Sequence, residues 1–314
     1  MIDKIKTESR EEWLALRKNY IGGSDAAAVI GMNPYSSAFS VWAEKTGSAP
    51  EFAGNLATEV GTYLEEFVAK KFEKETGKTV RRCNLSMVNS DYPWAIANVD
   101  RLIVGEDAGL EIKTTSELNM KNFAGGEYPA NYYTQCVHYL GVTQRSRWYL
   151  AVLIGNREFK IFTIERDEAE IDALMNAERY FWDTYVMTKR TPPVDGHSAT
   201  TDAIKQMFPD DGSDTADLTP YGNLFRQRKS LAENQKRIKA EIDAIDNELK
   251  VQMGSAGYGK CGVFSVSWKN QKTSGLDREA IRRDYPDIDL TKYATTSRVF
   301  RVSEKKQKGD NSNG

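Results

Sequence analysis

The feature that most constrains this chain is a change of periodicity near residue 79. Upstream, Val60, Leu64, Phe67, Val68 and Phe72 recur at helical spacing over about 57–76, and Gly77 marks the end. Downstream, residues 79–89 and 94–115 alternate apolar and polar side chains between short polar turns, which predicts strands. Strand-like segments 146–154 and 158–165 meet at Gly155-Asn156, and helical spacing at 130–141 and 167–189 brackets them. Thr191-Pro192-Pro193 then breaks the chain. A sheet packed between helices buries both patterns, so the expected class is α/β, a central mixed sheet flanked by helices.

The N-terminal part adds short helices. Ser9-Arg10-Glu11-Glu12 reads as a capping box opening one through about Lys18. Gly22-Gly23 ahead of Ser24-Asp25 and the run Ala26 to Ile30 predicts a tight turn into a second. A third spans 37–46 and stops at Gly47. Residues 196–220, rich in Asp, Ser, Thr and Gly, read as a linker. Beyond it Leu224, Leu231, Ile238 and Ile245 recur every seven residues, joined by Ile242 and Leu249. Arg228 and Gln235 interrupt the companion stripe, so a long helix with an imperfect heptad seam is expected. The expected organisation is a core at 1–195, a linker at 196–220, and a long helix with β-rich pieces (263–268 and 297–302) at 221–304. A disordered polar tail at 305–314 closes the chain.

Bulk properties exclude several classes. No apolar run approaches the roughly 18–20 residues that cross a bilayer, and Met1-Ile2-Asp3-Lys4 has no signal-peptide pattern. A cytoplasmic protein with no membrane partner is expected. Cys83, Cys136 and Cys261 are far apart, form no CxxC pair, and are joined by only two histidines, which weighs against zinc or iron–sulfur chemistry. The net charge of −2 argues against a broadly basic coat and confines any nucleic-acid contact to a groove. Lys70, Lys71, Lys74, Lys78, Arg81 and Arg82 form a basic run that reads equally as a DNA-facing flank or a solvated face. Tyr35, Trp42 and Trp94 are candidates for stacking on bases at a frayed end, beside the plainer reading as core aromatics.

The chemistry-bearing stretch is Asn98-Val99-Asp100, ten intervening residues, then Glu111-Ile112-Lys113. Strand alternation puts Glu111 and Lys113 on one face and Leu110, Ile112 and Thr114 on the other. If residues 105–109 turn the chain, the two strands are antiparallel neighbours. Pairing Gly105 with Ala108 sets Asp100 opposite Lys113 and diagonal to Glu111, at roughly 5 and 7 Å. A one-residue slip would turn Asp100 to the wrong face. Two carboxylates this close repel, and a hard divalent cation relieves them. Such an ion polarises a phosphodiester and lowers the pKa of water, beside an ammonium suited to the charge of a pentavalent phosphate. The same short pattern fits a surface hairpin with a solvated ion pair.

The Asp…Glu-x-Lys layout resembles the PD-(D/E)XK nuclease superfamily. Trp13-Leu14-Ala15-Leu16-Arg17 followed by Ile21-Gly22-Gly23-Ser24-Asp25-Ala26 resembles the opening of the YqaJ-like viral recombinase family, the lambda-exonuclease-like branch. Gly61-Thr62-Tyr63-Leu64-Glu65 resembles that family's glycine-to-glutamate helix, and Tyr132-Tyr133-Thr134-Gln135 through Tyr139-Leu140 its glutamine helix. The motifs run in family order over about 10–165. The chain beyond about 215 is matched loosely, and Ser297 to Val302 is similar to the close of longer members. Val99 stands where the superfamily has proline, a backbone feature and not a ligand.

The resemblance implies a restriction-endonuclease-like PD-(D/E)XK core and assigns roles. Asp100, Glu111 and the Ile112 carbonyl would bind metal, and Lys113 would assist the attacking water. Glu65, with adjacent Glu66 as the alternative, would be a helical carboxylate ligand or water-positioning group. Gln135 would orient substrate or the lysine. Arg17 and Ser24 would bind the 5′-phosphate of a DNA end. Elementary chemistry agrees, since a guanidinium forks onto phosphate oxygens and a helix start favours anions; a surface arginine and a plain N-cap serine are the alternative. The implied activity is a 5′-to-3′ exonuclease on linear double-stranded DNA ends, leaving 3′ single strands for a single-strand annealing protein in phage-type recombination. The implied cofactor is Mg2+, two ions, with Mn2+ substituting, and the implied assembly is a ring-shaped homotrimer in the cytoplasm of a bacterial host. An endonuclease of the same superfamily and a noncatalytic DNA-binding scaffold remain the alternatives.

Overall fold

The helix-to-strand switch folds into a five-stranded mixed sheet covered on both faces. The structure is a computed structural model that describes residues 1–49, 54–210, 212, 214–271, 278–285, 287–293 and 299–303. It divides into two units, Met1–Pro209 and Asp210–Gly314.

In the first unit the chain runs β1 (Ile2–Ile5), α1 (Arg10–Lys18), β2 (Ile21–Gly22), α2 (Gly23–Val29), α3 (Ala38–Lys45) and α4 (Leu56–Thr76). The strands β3 (Val80–Arg82), β4 (Ser86–Asn89), β5 (Ala95–Ile96), β6 (Arg101–Ile103) and β7 (Ala108–Thr115) follow. Then come α5 (Ala130–Thr143), β8 (Arg147–Ile154), β9 (Glu158–Glu165), α6 (Glu168–Phe181) and α7 (Ser198–Met207). The main sheet has the order β3-β6-β7-β8-β9. Its one parallel pair, β7–β8, is joined through α5, as a parallel connection requires. Helix ends carry the expected signals: Ser9 caps α1 by accepting the Glu12 N–H, and Gly77 closes α4 at φ 69°.

The two faces of β7 meet different partners. On one, Val68, Ala69 and Phe72 of α4 pack on Ile103, Leu110 and Ile112. Val68, Ala69 and Phe72 are the α4 side chains buried against the sheet, whereas Val60 and Phe67 of the expected stripe are exposed. On the other face α2, α3, α5 and α6 enclose Ile21, Trp42, Leu140 and Trp148. Trp42 and Trp94 belong to this core, and of the three stacking candidates only Tyr35 is exposed, at 75%. Gly23 allows α2 to lie against α5: a Cβ there would sit 2.7 Å from the Tyr139 ring.

Two expectations are corrected. The β6–β7 register pairs Arg101 with Leu110 and Leu102 with Gly109, so one further step sets Asp100 across from Glu111 and not Lys113. The expected Gly105–Ala108 pairing would need a two-residue turn with positive φ at Glu106 and Asp107. The chain instead places its positive φ at Gly105 (76°) and turns over Val104 to Asp107. Because the shift is two residues, side-chain facing survives. The second correction concerns the expected linker at 196–220. Residues 198–207 form α7, whose Thr200 donates to Ser37 Oγ (2.7 Å) and whose Ala203 enters the core, so the first unit runs to Pro209. Ala203, Ile204 and Met207 supply an apolar face that the polar composition concealed.

In the second unit α8 (Gly222–Met253) is a 32-residue helix with no buried residue. Leu224, Leu231, Ile238, Ile242, Ile245 and Leu249 are all exposed along it. β10 (Tyr258–Cys261) and β11 (Phe264–Ser267) form an antiparallel hairpin with Gly262 at φ 56°. Of the second β-rich piece, Ser297 and Arg298 lie outside the described residues, and residues 299–303 carry no strand. The tail 305–314 also lies outside them. Among the described residues no helix is long and apolar enough to cross a membrane.

Candidate active site

β7 carries the centre. Glu111, only 2% exposed, points towards α5, and Lys113 follows on the same face. Lys113 Nζ lies 2.6 Å from Glu111 Oε1 and donates to Gln135 Oε1 at 2.9 Å. Gln135 Nε2 donates back to Glu111 Oε1 (2.8 Å) and approaches the Tyr139 hydroxyl (2.9 Å). That hydroxyl donates to the Asn98 carbonyl (2.8 Å), tying α5 to the segment that delivers Asp100. Asp100 Oδ2 accepts the Ile112 N–H at 2.8 Å. The Ile112 carbonyl faces the same strand edge, since N–H and C=O of one strand residue point the same way.

The electrostatics leave this centre short of positive charge. Burial, and then the Glu111 charge, push the Asp100 carboxyl well above the usual carboxylate range. Burial also raises Glu111, against the opposing pull of Lys113. For Lys113 burial favours the neutral amine, but the Glu111 carboxylate outweighs it and holds the group above the ordinary lysine range. Glu111 Oε2 is buried and has no hydrogen-bond partner. A buried carboxylate (Glu111) with one orphaned oxygen, a half-buried one (Asp100) and an adjacent carbonyl form a hard-oxygen donor set, and they fit a divalent cation such as Mg2+.

Glu65 is placed differently. Arg101, 3% exposed, lies on the α4 side of β6 and hydrogen-bonds Glu65 Oε1. Its other nitrogen reaches Glu66 Oε2 at 3.2 Å, and it also donates to the Asp100 carbonyl at 2.8 Å. Arg82 adds a second bond to Glu66 at 2.8 Å. Glu65 still bears electrostatically on Asp100 and Glu111. Among the described residues no group of three or more His, Cys, Asp or Glu side chains is arranged around one point. Sequence reasoning overlooked Arg101, although alternation from Asp100 turns it towards the helix of Glu65. The basic run is also neutralised in part: Lys71 pairs with Glu75, Lys78 with Glu106, and Arg82 with Glu66.

A second cluster surrounds the start of α2. Arg17 lies over the Trp13 ring at 4.8 Å and donates to Ser24 Oγ at 3.2 Å. Gly22, not Ser24, is the N-cap; Ser24 sits one position inside the helix and is exposed. Beneath them Asp25 accepts the Gly22 N–H (3.0 Å) and pairs with the buried Lys45 ammonium at 2.8 Å. Burial raises the Asp25 carboxyl, but Lys45 and then Arg17 outweigh it and hold it below its ordinary value. Trp13 Nε1 donates to Asn98 Oδ1 (3.1 Å), so the cluster and the Asp100 segment share a fixed geometry. The sequence places Asp25 in the Ile21 to Ala26 motif but gives it no partner, and it does not single out Lys45, because nothing in their spacing signals an ion pair between α2 and α3.

Residues 12–146 match the model of the YqaJ-like viral recombinase domain, a span that contains both clusters. The chain is 36% identical over 310 residues to the uncharacterized protein YqaJ of Bacillus subtilis, covering 97% of each. Among solved structures, an alkaline exonuclease from Laribacter hongkongensis overlaps 57% of this chain and 94% of its own at 20% identity and a TM-score of 0.47. A phage-related exonuclease from Haemophilus somnus overlaps 56% and 99% at 12% identity and a TM-score of 0.42. With TM-scores below 0.5, the assignment of the chain rests on sequence and not on these overlaps.

Proposed function

The chain belongs to the YqaJ-like viral recombinase family, and from that premise we propose that it is a metal-dependent exonuclease acting on the ends of linear double-stranded DNA. The observation that carries the reading is the unpartnered Glu111 Oε2, buried beside Asp100 and Lys113. Glu178, paired with His138, also keeps a buried oxygen without a partner; what sets Glu111 apart is that its orphaned oxygen lies beside a second carboxylate, Asp100, a combination that a bound cation would stabilise.

In this reading Asp100, Glu111 and the Ile112 carbonyl hold Mg2+, with Mn2+ able to substitute. The chemistry such an ion supplies when held there is polarisation of the phosphodiester and a lowered pKa for water. Glu111 stabilises the charged form of Lys113, and in this reading the ammonium orients the nucleophile and balances charge growing on the phosphate. Gln135 fixes the Lys113–Glu111 geometry from α5. Arg17 and Ser24 receive the 5′-phosphate, which gives 5′-to-3′ polarity and leaves 3′ single strands suited to an annealing protein. A ring-shaped homotrimer around the duplex belongs to the same reading.

The test is degradation of linear duplex with Mg2+, comparing 5′-phosphorylated with 5′-hydroxyl ends and with closed circles. Release of nucleotides from phosphorylated ends, abolished in Lys113→Ala, is the expected result. Cutting of closed circles without regard to ends would replace this reading with an endonuclease. DNA binding without cleavage in either Mg2+ or Mn2+ would replace it with a scaffold.

A further inference from the structure

Glu65 and Glu66 project from α4 towards a buried guanidinium that no metal-binding reading accounts for. Arg101 is 3% exposed, spans both carboxylates, and is anchored a third time on the Asp100 carbonyl. Resting on the metal-binding reading of Asp100 and Glu111, we propose that Arg101 takes the place of a second cation. It holds Glu65 and Glu66, and the free chain binds a single divalent ion.

Charge counting on the two sides of the sheet leads there. Asp100 and Glu111 face one ammonium, Lys113, and leave one oxygen orphaned. Glu65 and Glu66 face two guanidiniums, Arg101 and Arg82, so no negative charge is left over to attract a dication. Swinging Glu65 onto a metal would leave the buried Arg101 with Glu66, which Arg82 already shares, and with the Asp100 carbonyl. Reducing the compensation of a buried guanidinium has a free-energy cost that a ligand at the rim must first offset. Arg101 is also held in place by its planar fork, bonded to Glu65, Glu66 and the Asp100 carbonyl, so Glu65 has a built-in cationic partner and needs no ion from solution. It is thus a positioning residue. Its link to the Asp100 carbonyl lets it set the height of the Asp100 segment as well as the place of Glu65.

The experiment is Mn2+ titration of the metal-free, DNA-free full chain by calorimetry and by electron paramagnetic resonance. Wild type should take up one ion per chain. Glu65→Gln should still take up one Mn2+ per chain, weakened by no more than the roughly 10- to 100-fold that loss of an outer supporting group costs. Glu111→Gln should lose binding. Arg101→Gln, if its melting curve shows it folded, should admit a second, weaker ion on the freed Glu65. Two ions per wild-type chain, or a loss of Mn2+ binding in Glu65→Gln as complete as in Glu111→Gln, would overturn the inference while leaving Asp100 and Glu111 as the metal centre. No Mn2+ uptake by wild type would remove that centre and the inference together. If Arg101→Gln does not fold, wild type and Glu65→Gln decide the matter alone.

Discussion

The two carboxylate pairs that flank β7 use the same residue types and reach opposite states. Glu65 and Glu66 are matched by Arg101 and Arg82. Asp100 and Glu111 share one lysine and keep a buried oxygen without a partner. The pKa directions follow: the Arg82 hydrogen bond holds Glu66 below its ordinary range, whereas burial lifts Asp100 and Glu111 above theirs. The matched pair joins α4 to β6. The unmatched pair is the part of the candidate site that an external cation would complete; an orphaned oxygen alone does not mark it, since Glu178 Oε2 beside His138 is also buried and unpartnered, and the adjacent Asp100 carboxylate is what sets Glu111 apart.

The strongest way to break this contrast is to change the charge count of the unmatched pair, by removing one anion or the single ammonium. Glu111→Gln or Lys113→Met should lower nuclease turnover by about three orders of magnitude or more, the scale of losing a principal charge-stabilising group. The contrast also fixes a sign. Asp100 has a folded pKa above its unfolded one, so its stabilising contribution is present below the ordinary aspartate range and is lost as pH rises through the raised value. Metal-free protein should therefore melt at lower temperature on going from acid to neutral pH, Mg2+ should reverse the loss, and Asp100→Asn should flatten the dependence. Differential scanning calorimetry with and without chelator checks all three; a metal-free melting curve indifferent to both would contradict the charge deficit.

The matched kind of pair is tested at Asp25 and Lys45, where the signs invert. Asp25 is held below its ordinary value, so its contribution is present above the aspartate range and is lost as pH falls through the depressed value. Lys45→Met leaves Asp25 buried with only the more distant Arg17 (3.9 Å) for charge compensation. Removing one member of a buried pair costs about 3 kcal/mol, measurable as a shift in urea midpoint at neutral pH that shrinks in acid. An unchanged midpoint would show that Asp25 already has enough compensation without Lys45.

Much of this contrast was open to sequence reasoning, and the parts that were hidden share a cause. The strand of the candidate site was legible because a period of two separates Glu111 and Lys113 from Leu110 and Ile112 regardless of tertiary context. The helices were legible from caps at Ser9 and Gly77. The β6–β7 register was not, because Gly105 and Gly109 both permit a turn and pattern alone cannot tell registers two residues apart. Gly109 has another use: a Cβ there would meet the Trp148 ring at 2.3 Å. Helix α7 was hidden because four of its ten residues are Ser, Thr or Asp, which composition assigns to a linker. Arg101 was passed over as strand filler, since its meaning depends on a helix 35 residues upstream. Local periodicity is written in neighbours; charge matching is written between elements that only the fold brings together.

Gln135 sharpens the contrast on the unmatched side. It is bonded to both Lys113 and Glu111 yet carries no charge, so it orders the pair without repairing the deficit. Gln135→Leu should cut turnover about 10- to 100-fold, as loss of a supporting hydrogen bond does, while Mn2+ stoichiometry stays at the wild-type value. Gln135→Glu adds a third anion and should weaken activity further at neutral pH while recovering it partly in acid. Equal activity of the two variants at all pH values would remove the orienting role.

The smallest effect is expected at Arg17, and it separates end recognition from chemistry. Arg17 is already engaged in the free protein: Trp13 supports its face, Ser24 accepts one N–H, and Asp25 lies 3.9 Å away. A 5′-phosphate would compete with Ser24 and Asp25 for the guanidinium, so part of the gain on binding offsets contacts given up. The preference for phosphorylated over hydroxyl ends should therefore be modest, about tenfold, in line with one exchanged charge-assisted hydrogen bond. Arg17→Ala should erase that preference in KM and leave turnover on 5′-hydroxyl ends close to wild type. Arg17→Lys should restore the charge without the planar fork and recover only part of it. A fall in turnover on both kinds of end would mean that Arg17 acts on the Asp100 segment through Trp13 and Asn98, and the phosphate would have to be read elsewhere.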